Sequence, residues 1–209
     1  RSGSLPVKLE VVENRTVGPT LGQDAKDASM KAFAIGLAGV FLFMLLYYRL
    51  AGLVADIVLL LYTLLLLAVM QGLNATLTLP GIAGIILSIG MAVDANVLIF
   101  ERFKEEIQAG KTLRAAVNSG FSRVFTTILD SNVTTLMAAA VLFYLGTGPI
   151  KGFAVTLALG VLISMFTAVT VTKFILSAFI GSNFTKNPAW FGVRGYQPKA
   201  KTGKGEAAR

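Results

Sequence analysis

Two carboxylates stand inside long apolar runs of this 209-residue chain. Asp94 lies within Gly81 to Arg102, and Asp130 lies within Thr126-Thr-Ile-Leu-Asp-Ser-Asn-Val-Thr-Thr135. Each opens the same pattern, Asp94-Ala-Asn96 and Asp130-Ser-Asn132. An ionisable side chain in hydrocarbon costs roughly 2.5 kcal/mol or more, which makes it a functional candidate by default. A carboxyl taken out of water can bind and release protons near neutral pH, as a relay requires. Asp94 and Asp130 are therefore expected to be buried and to line a proton pathway; the alternative is a purely structural polar pair.

The spacing supports a shared level. Asp94 precedes Arg102 by eight residues and Asp130 follows Arg123 by seven, so at ~1.5 Å rise per residue both lie on the order of 10 to 12 Å below one membrane surface. Positions i and i+2 of a helix point to different sides, so Asn96 and Asn132 suit hydrogen bonds to a neighbouring helix better than to their own Asp. Thr134 and Thr135 complete the polar support, although threonines in membrane helices also bond back to their own i−4 carbonyls.

The elements that must hold these groups are long helices. The chain is 55% hydrophobic and 14% charged, with a mean hydropathy of +0.71, against a charged fraction of ~25% in soluble domains. Long apolar runs between short polar breaks predict an all-α integral membrane protein, a five-helix transmembrane bundle, in preference to a barrel of alternating strands. The expected spans are about 32–48, 53–72, 80–101, 124–145 and 150–180. Asp56, near the start of the second, reads as an interfacial charge at a positive helix end.

Around the spans, residues 1–29 read as the end of an external domain, with a strand-like alternation over 5–13 and a chain break at Gly18-Pro19 and Gly22. Residues 102–123 form a cytoplasmic amphipathic segment. There Arg102 and Glu106 are spaced for an i,i+4 pair, and Lys111 to Val124 forms a basic helix, either on the membrane surface or packed on its own bundle. Residues 182–209 read as a basic, disordered cytoplasmic tail. Because the chain opens on Arg1 and a long polar stretch, it reads as part of a longer protein. Lys/Arg counts put the 49-turn, the 102–123 segment and the tail inside and the N-terminal segment outside. Lys173, in the fifth span, can reach the cytoplasmic interface.

Two stripes of small residues point to close helix packing, Gly81, Gly84 and Ser88 on the third span, and Gly160 and Ser164 on the fifth. Whether they pack within the chain or against a second subunit stays open at this level.

Some classes of chemistry are set aside by composition. With no Cys and no His, thiolate or imidazole metal sites and disulfides are not expected, and neither is any metal or cofactor beyond protons as coupling ion. The net charge of +8 fits topology and anionic lipid, so lipid bilayer and not nucleic acid is the expected partner. An intramembrane aspartyl protease also uses two buried Asp residues, but the Gly-x-Gly-Asp arrangement it needs is absent around both.

Met91-Ala-Val-Asp94-Ala-Asn96-Val-Leu-Ile-Phe-Glu101-Arg102, Asp130-Ser-Asn132-Val-Thr134-Thr135, the Gly146-Thr-Gly-Pro149 turn and Val12-Val-Glu-Asn-Arg-Thr-Val-Gly-Pro-Thr20 together resemble the SecD family of protein-export membrane proteins. The resemblance covers about residues 5–180. It implies half of a resistance-nodulation-division-like transporter fold in the bacterial cytoplasmic (inner) membrane, partnership with SecF and the SecYEG translocon, and a non-enzymatic role. That role is to use the proton-motive force to assist export of preprotein bound through the external domain. It makes Asp94 the family's intramembrane proton-site aspartate, with the Arg facing it supplied by SecF. The competing reading is a proton-coupled exporter of small molecules or lipids on the same bundle.

Overall fold

In a computed structural model, which describes residues 19–181, the chain forms helices joined by short turns, with no strand among the described residues. The expectations for a strand over 5–13 and for the basic tail fall outside them. Six helical elements succeed one another: α1 Pro19–Tyr48, α2 Leu50–Gly72, α3 Leu79–Gln108, α4 Leu113–Leu145, α5 Gly148–Phe166 and, after a π-turn at Thr167–Val171, α6 Thr172–Gly181. Five continuous stretches are long and apolar enough to cross a membrane, the last running from Gly148 to Ile180.

Several boundaries differ from those expected. Helix α1 begins at Pro19 and passes through Gly22 without interruption, since a lone glycine weakens a helix by only ~1 kcal/mol and does not break it. Helix α2 begins at Leu50, three residues before Leu53. The 102–123 segment is no separate surface helix: α3 continues to Gln108 and α4 starts at Leu113 and runs unbroken into the membrane. With ~1.5 Å per residue and a hydrocarbon layer of ~30 Å, helices of 30 and 33 residues must project beyond it.

Local sequence explains the helix ends. Thr78 caps α3 by accepting from the Gly81 N–H at 3.1 Å, with Pro80 in the first turn where its missing N–H costs nothing. At the other end the chain turns through Gly110, at φ 88°. The Lys111 N–H bonds to the Glu106 carbonyl at 3.2 Å and the Gly110 N–H to Ile107 at 2.9 Å, the paired bonds that close a helix with a left-handed glycine. Thr112 then caps α4.

Helices α3 and α5 form the centre, with α2 and α4 packed against them and α1 joined mainly to α2. The α3–α5 seam is where the small residues lie. A Cβ on Gly84 would overlap Thr156 Oγ1, and one on Gly160 would overlap Ser88 Cβ, so the two backbones approach as closely as glycine permits. Within this chain, then, the stripes pair with each other. The start of α4 also packs inward: Ala116, Val117, Gly120, Phe121 and Val124 are buried, with Leu113 partly so.

Candidate functional site

Asp94 and Asp130 lie on adjacent helices, α3 and α4, but neither is buried. The expectation of enclosed carboxylates is corrected. On α3, Ala92, Val93, Ala95 and Asn96 turn into the bundle while Asp94 faces out; on α4, Ile128 and Asn132 turn in while Asp130, Ser131 and Thr134 face out. The physical reason is helical phase: the core has already taken the apolar face of each helix, and the carboxylates occupy the other. Among the described residues neither has an ion-pair partner. Exposed faces of membrane helices meet lipid or another protein, and a bare carboxylate is poorly suited to lipid.

Both asparagines turn to a different side of their helix from the Asp two residues before, and among the described residues the bond to a neighbouring helix is seen at Asn96. Asn96 is buried, donates from Nδ2 to the Ala92 carbonyl at 3.1 Å, and accepts at Oδ1 from the Thr172 hydroxyl of α6 at 2.8 Å. Asn132 is buried as well. Thr134 and Thr135 donate to the carbonyls of Asp130 and Ser131 at 3.0 and 3.1 Å, each four residues back. These bonds satisfy the hydroxyls within α4 and leave no donor turned to a neighbouring helix.

Along the seam, Ser88 is wholly buried, receives the Tyr62 hydroxyl at 2.7 Å and donates to the Ile85 carbonyl at 2.9 Å. Ser164 donates to the Val161 carbonyl at 2.8 Å. Gly84 and Gly160 give the close approach already described, and a Cβ on Gly81 would stand 3.1 Å from the capping Thr78 Oγ1 and 3.5 Å from Thr156 Cγ2.

Three features go beyond what the sequence indicates. Asp56 stands two turns inside α2, half-buried, with one carboxyl oxygen enclosed and without a hydrogen-bond partner. Glu106, with only 5% of its side chain exposed, collects Lys111 at 2.5 Å, Arg123 at 3.4 Å and Arg102 at 3.7 Å, while Arg102 also pairs with Glu105. The Lys111 hydrogen bond, outweighing the desolvation of the group and helped by the Arg123 and Arg102 charges, holds the Glu106 carboxyl below the usual range. The third is the π-turn beside Thr172. Only the Arg102–Glu106 spacing offered a signal; the other contacts depend on how helices distant in sequence meet.

Lys104 lies over the aromatic end of α1, its Nζ 5.0 Å from the Tyr47 ring and 4.3 Å from the Tyr48 ring, a cation–π arrangement. Lys173 is exposed. Clefts of about 380 and 490 Å³ open among the ends of α1, α2, α3 and α5 remote from the carboxylates, one lined by Asn74, Thr78 and Lys151, the other by Lys26, Phe33 and Leu67. Among the described residues no three His, Cys, Asp or Glu side chains converge.

Five apolar helices around a small-residue seam, with an exposed carboxylate on each of two neighbouring helices, define a multi-pass helical membrane domain. The sequence matches the family described as protein export membrane protein SecD/SecF, C-terminal, over residues 3–181, and the chain belongs to that family. It is 94% identical over 209 residues to the protein translocase subunit SecD of Acidaminococcus fermentans, covering 100% of this chain and 50% of that protein. It is 59% identical to the SecD of Dictyoglomus turgidum, over 84% of this chain and 44% of the relative. The chain thus spans about half the length of these relatives. The crystal structure of SecDF from Thermus thermophilus, a translocon-associated membrane protein, superposes with a TM-score of 0.77 at 49% identity, over 79% of this chain and 23% of that one. SecDF in its super-membrane-facing form gives 0.75 at 50% identity, over 85% and 24%.

Proposed function

We propose that this bundle is the membrane part of a SecD subunit of the Sec translocation machinery, which uses the proton-motive force to assist preprotein export across the bacterial cytoplasmic membrane. The observation that carries the reading is the outward placement of Asp94 and Asp130 on adjacent helices, with no cation paired to them among the described residues, in a chain of the SecD/SecF family. Such a face is half of a site. A second helix bundle, that of SecF, covers it and brings an Arg to the carboxylates, and protonation of Asp94 alternately breaks and restores that pairing. The bundle packing then changes and moves the external domain that holds preprotein beside SecYEG. The basic loops lie on the cytoplasmic side and the N-terminal segment outside.

The buried Asn96, two residues from Asp94, fixes the phase of α3 so that the carboxylate keeps its outward aim. The expected outcome is that Asp94→Asn in the intact protein abolishes the part of export that depends on a proton gradient while membrane insertion and abundance stay unchanged. Normal gradient-dependent export by that variant would overturn the reading, and intact export with lost efflux of drugs or lipids would favour the exporter instead.

A further inference from the structure

The π-turn at Thr167–Val171 inserts one residue into the last membrane crossing. Such turns are uncommon and cluster at functional positions. An inserted residue rotates the rest of its helix by about 100° relative to a regular α-helix, and the first residue beyond the turn is Thr172, which is wholly buried. Its hydroxyl lies 2.8 Å from Asn96 Oδ1 on α3 and 3.2 Å from the Thr167 carbonyl, five residues back in its own crossing. The second contact exists because the π-turn leaves that carbonyl within reach; the first exists because the turn aims Thr172 at α3.

A hydroxyl has a single proton to donate. The two acceptors therefore compete for it, one tying α6 to α3 and the other keeping the bond within the same crossing. Elsewhere the α3–α5 seam has little freedom, since the Thr156 and Ser88 side chains fill the space where a Cβ on Gly84 or Gly160 would stand. At the level of Asp94 the tie is this hydrogen bond, and Asn96, which receives it, is anchored to Ala92 on the other side of Asp94.

We propose that Thr172 is a positioning residue for Asp94: its hydroxyl, presented by the π-turn, exchanges between Asn96 and the Thr167 carbonyl and so couples α6 to the half of α3 that carries Asp94. The inference rests on the reading of Asp94 as a proton site. Charged side chains on the helices packed around α3 include Lys31 on α1, Asp56 on α2, Asp130 on α4, Lys151 on α5 and Lys173 on α6, and among the described residues none forms an ion pair with Asp94. A change in Thr172 thus reaches Asp94 through Asn96 and not through a rearranged ion pair.

The test uses the intact protein reconstituted with its translocation partners in proteoliposomes, with export measured over a series of imposed pH gradients. Thr172→Val removes the hydroxyl at nearly constant volume, Thr172→Ser keeps it, and Thr172→Ala removes it without the bulk of valine. Stranding a buried acceptor corresponds to a shift of about tenfold, so T172V and T172A are expected to need about tenfold more proton activity difference for half-maximal stimulation. T172S stays within about twofold of wild type, and gradient-independent export is equal in all four. A half-maximal gradient unchanged in T172V and T172A, with or without a lower maximum, would overturn the proposal, as would equal shifts in T172V and T172S. A wild-type protein indifferent to the gradient would instead overturn the proton-site reading, and the inference with it.

Discussion

Tyr62 donates its hydroxyl to Ser88 Oγ at 2.7 Å, at the point where Gly160 of α5 comes against both residues. Three helices meet there with no room for another carbon. Gly160→Ala would drive its methyl into Ser88, and overpacking of this kind costs roughly 1 to 3 kcal/mol. The expected outcome is a lower unfolding temperature in detergent, and Gly36→Ala, at a position where a Cβ meets nothing within 4 Å, gives the control with no loss. Equal stability of G160A and G36A would show that the seam is looser than described.

Glu106 links the end of α3 to the start of α4 through Lys111 and Arg123. Because its folded carboxyl is held below its ordinary value, its contribution to stability is fully present above the unfolded value of ~4.3 and is lost as pH falls through the lower folded one. Glu106→Gln is expected to destabilise the 105–115 corner at pH 7, with faster amide exchange there. Its difference from wild type shrinks as the pH drops below ~4. A difference that grows on acidification would contradict the sign of the shift.

Much of this fold was legible in the sequence, because hydropathy and length alone mark five crossings and the small-residue stripes mark the seam. Thr78-Leu-Pro80 and Gly110 announce the ends of α3 for local reasons. The illegible part depends on helix phase and distant contacts. Asp94 and Asp130 were expected inside the bundle, yet the apolar residues beside them, Val93 and Ile128, took the core faces. The π-turn has no local signature in Thr167-Ala-Val-Thr-Val171, and its consequence, Thr172 against Asn96, joins residues 76 positions apart. The amphipathic pattern of 111–124 was visible, but whether it lay on lipid or on protein was decided by Phe103, whose backbone meets Gly120.

Orientation is open to a clean test because the chain contains no cysteine. Thr76 and Arg114 are both exposed and lie in opposite connections, between α2 and α3 and at the start of α4. With the basic loops on the cytoplasmic side, Arg114→Cys in intact cells should resist a membrane-impermeant maleimide until the membrane is opened. Thr76→Cys should react from outside at once. The reverse pattern would invert the topology.

On the proposed function, protons move by way of Asp94. The most direct measurement is proton flux itself, read by a pH-sensitive dye trapped in proteoliposomes containing the intact protein and its helical partner. Flux is expected in the wild type under an imposed gradient, and Asp94→Asn is expected to reduce it to the level of protein-free vesicles. Asp94→Asn vesicles that carry protons as fast as wild type would contradict the account.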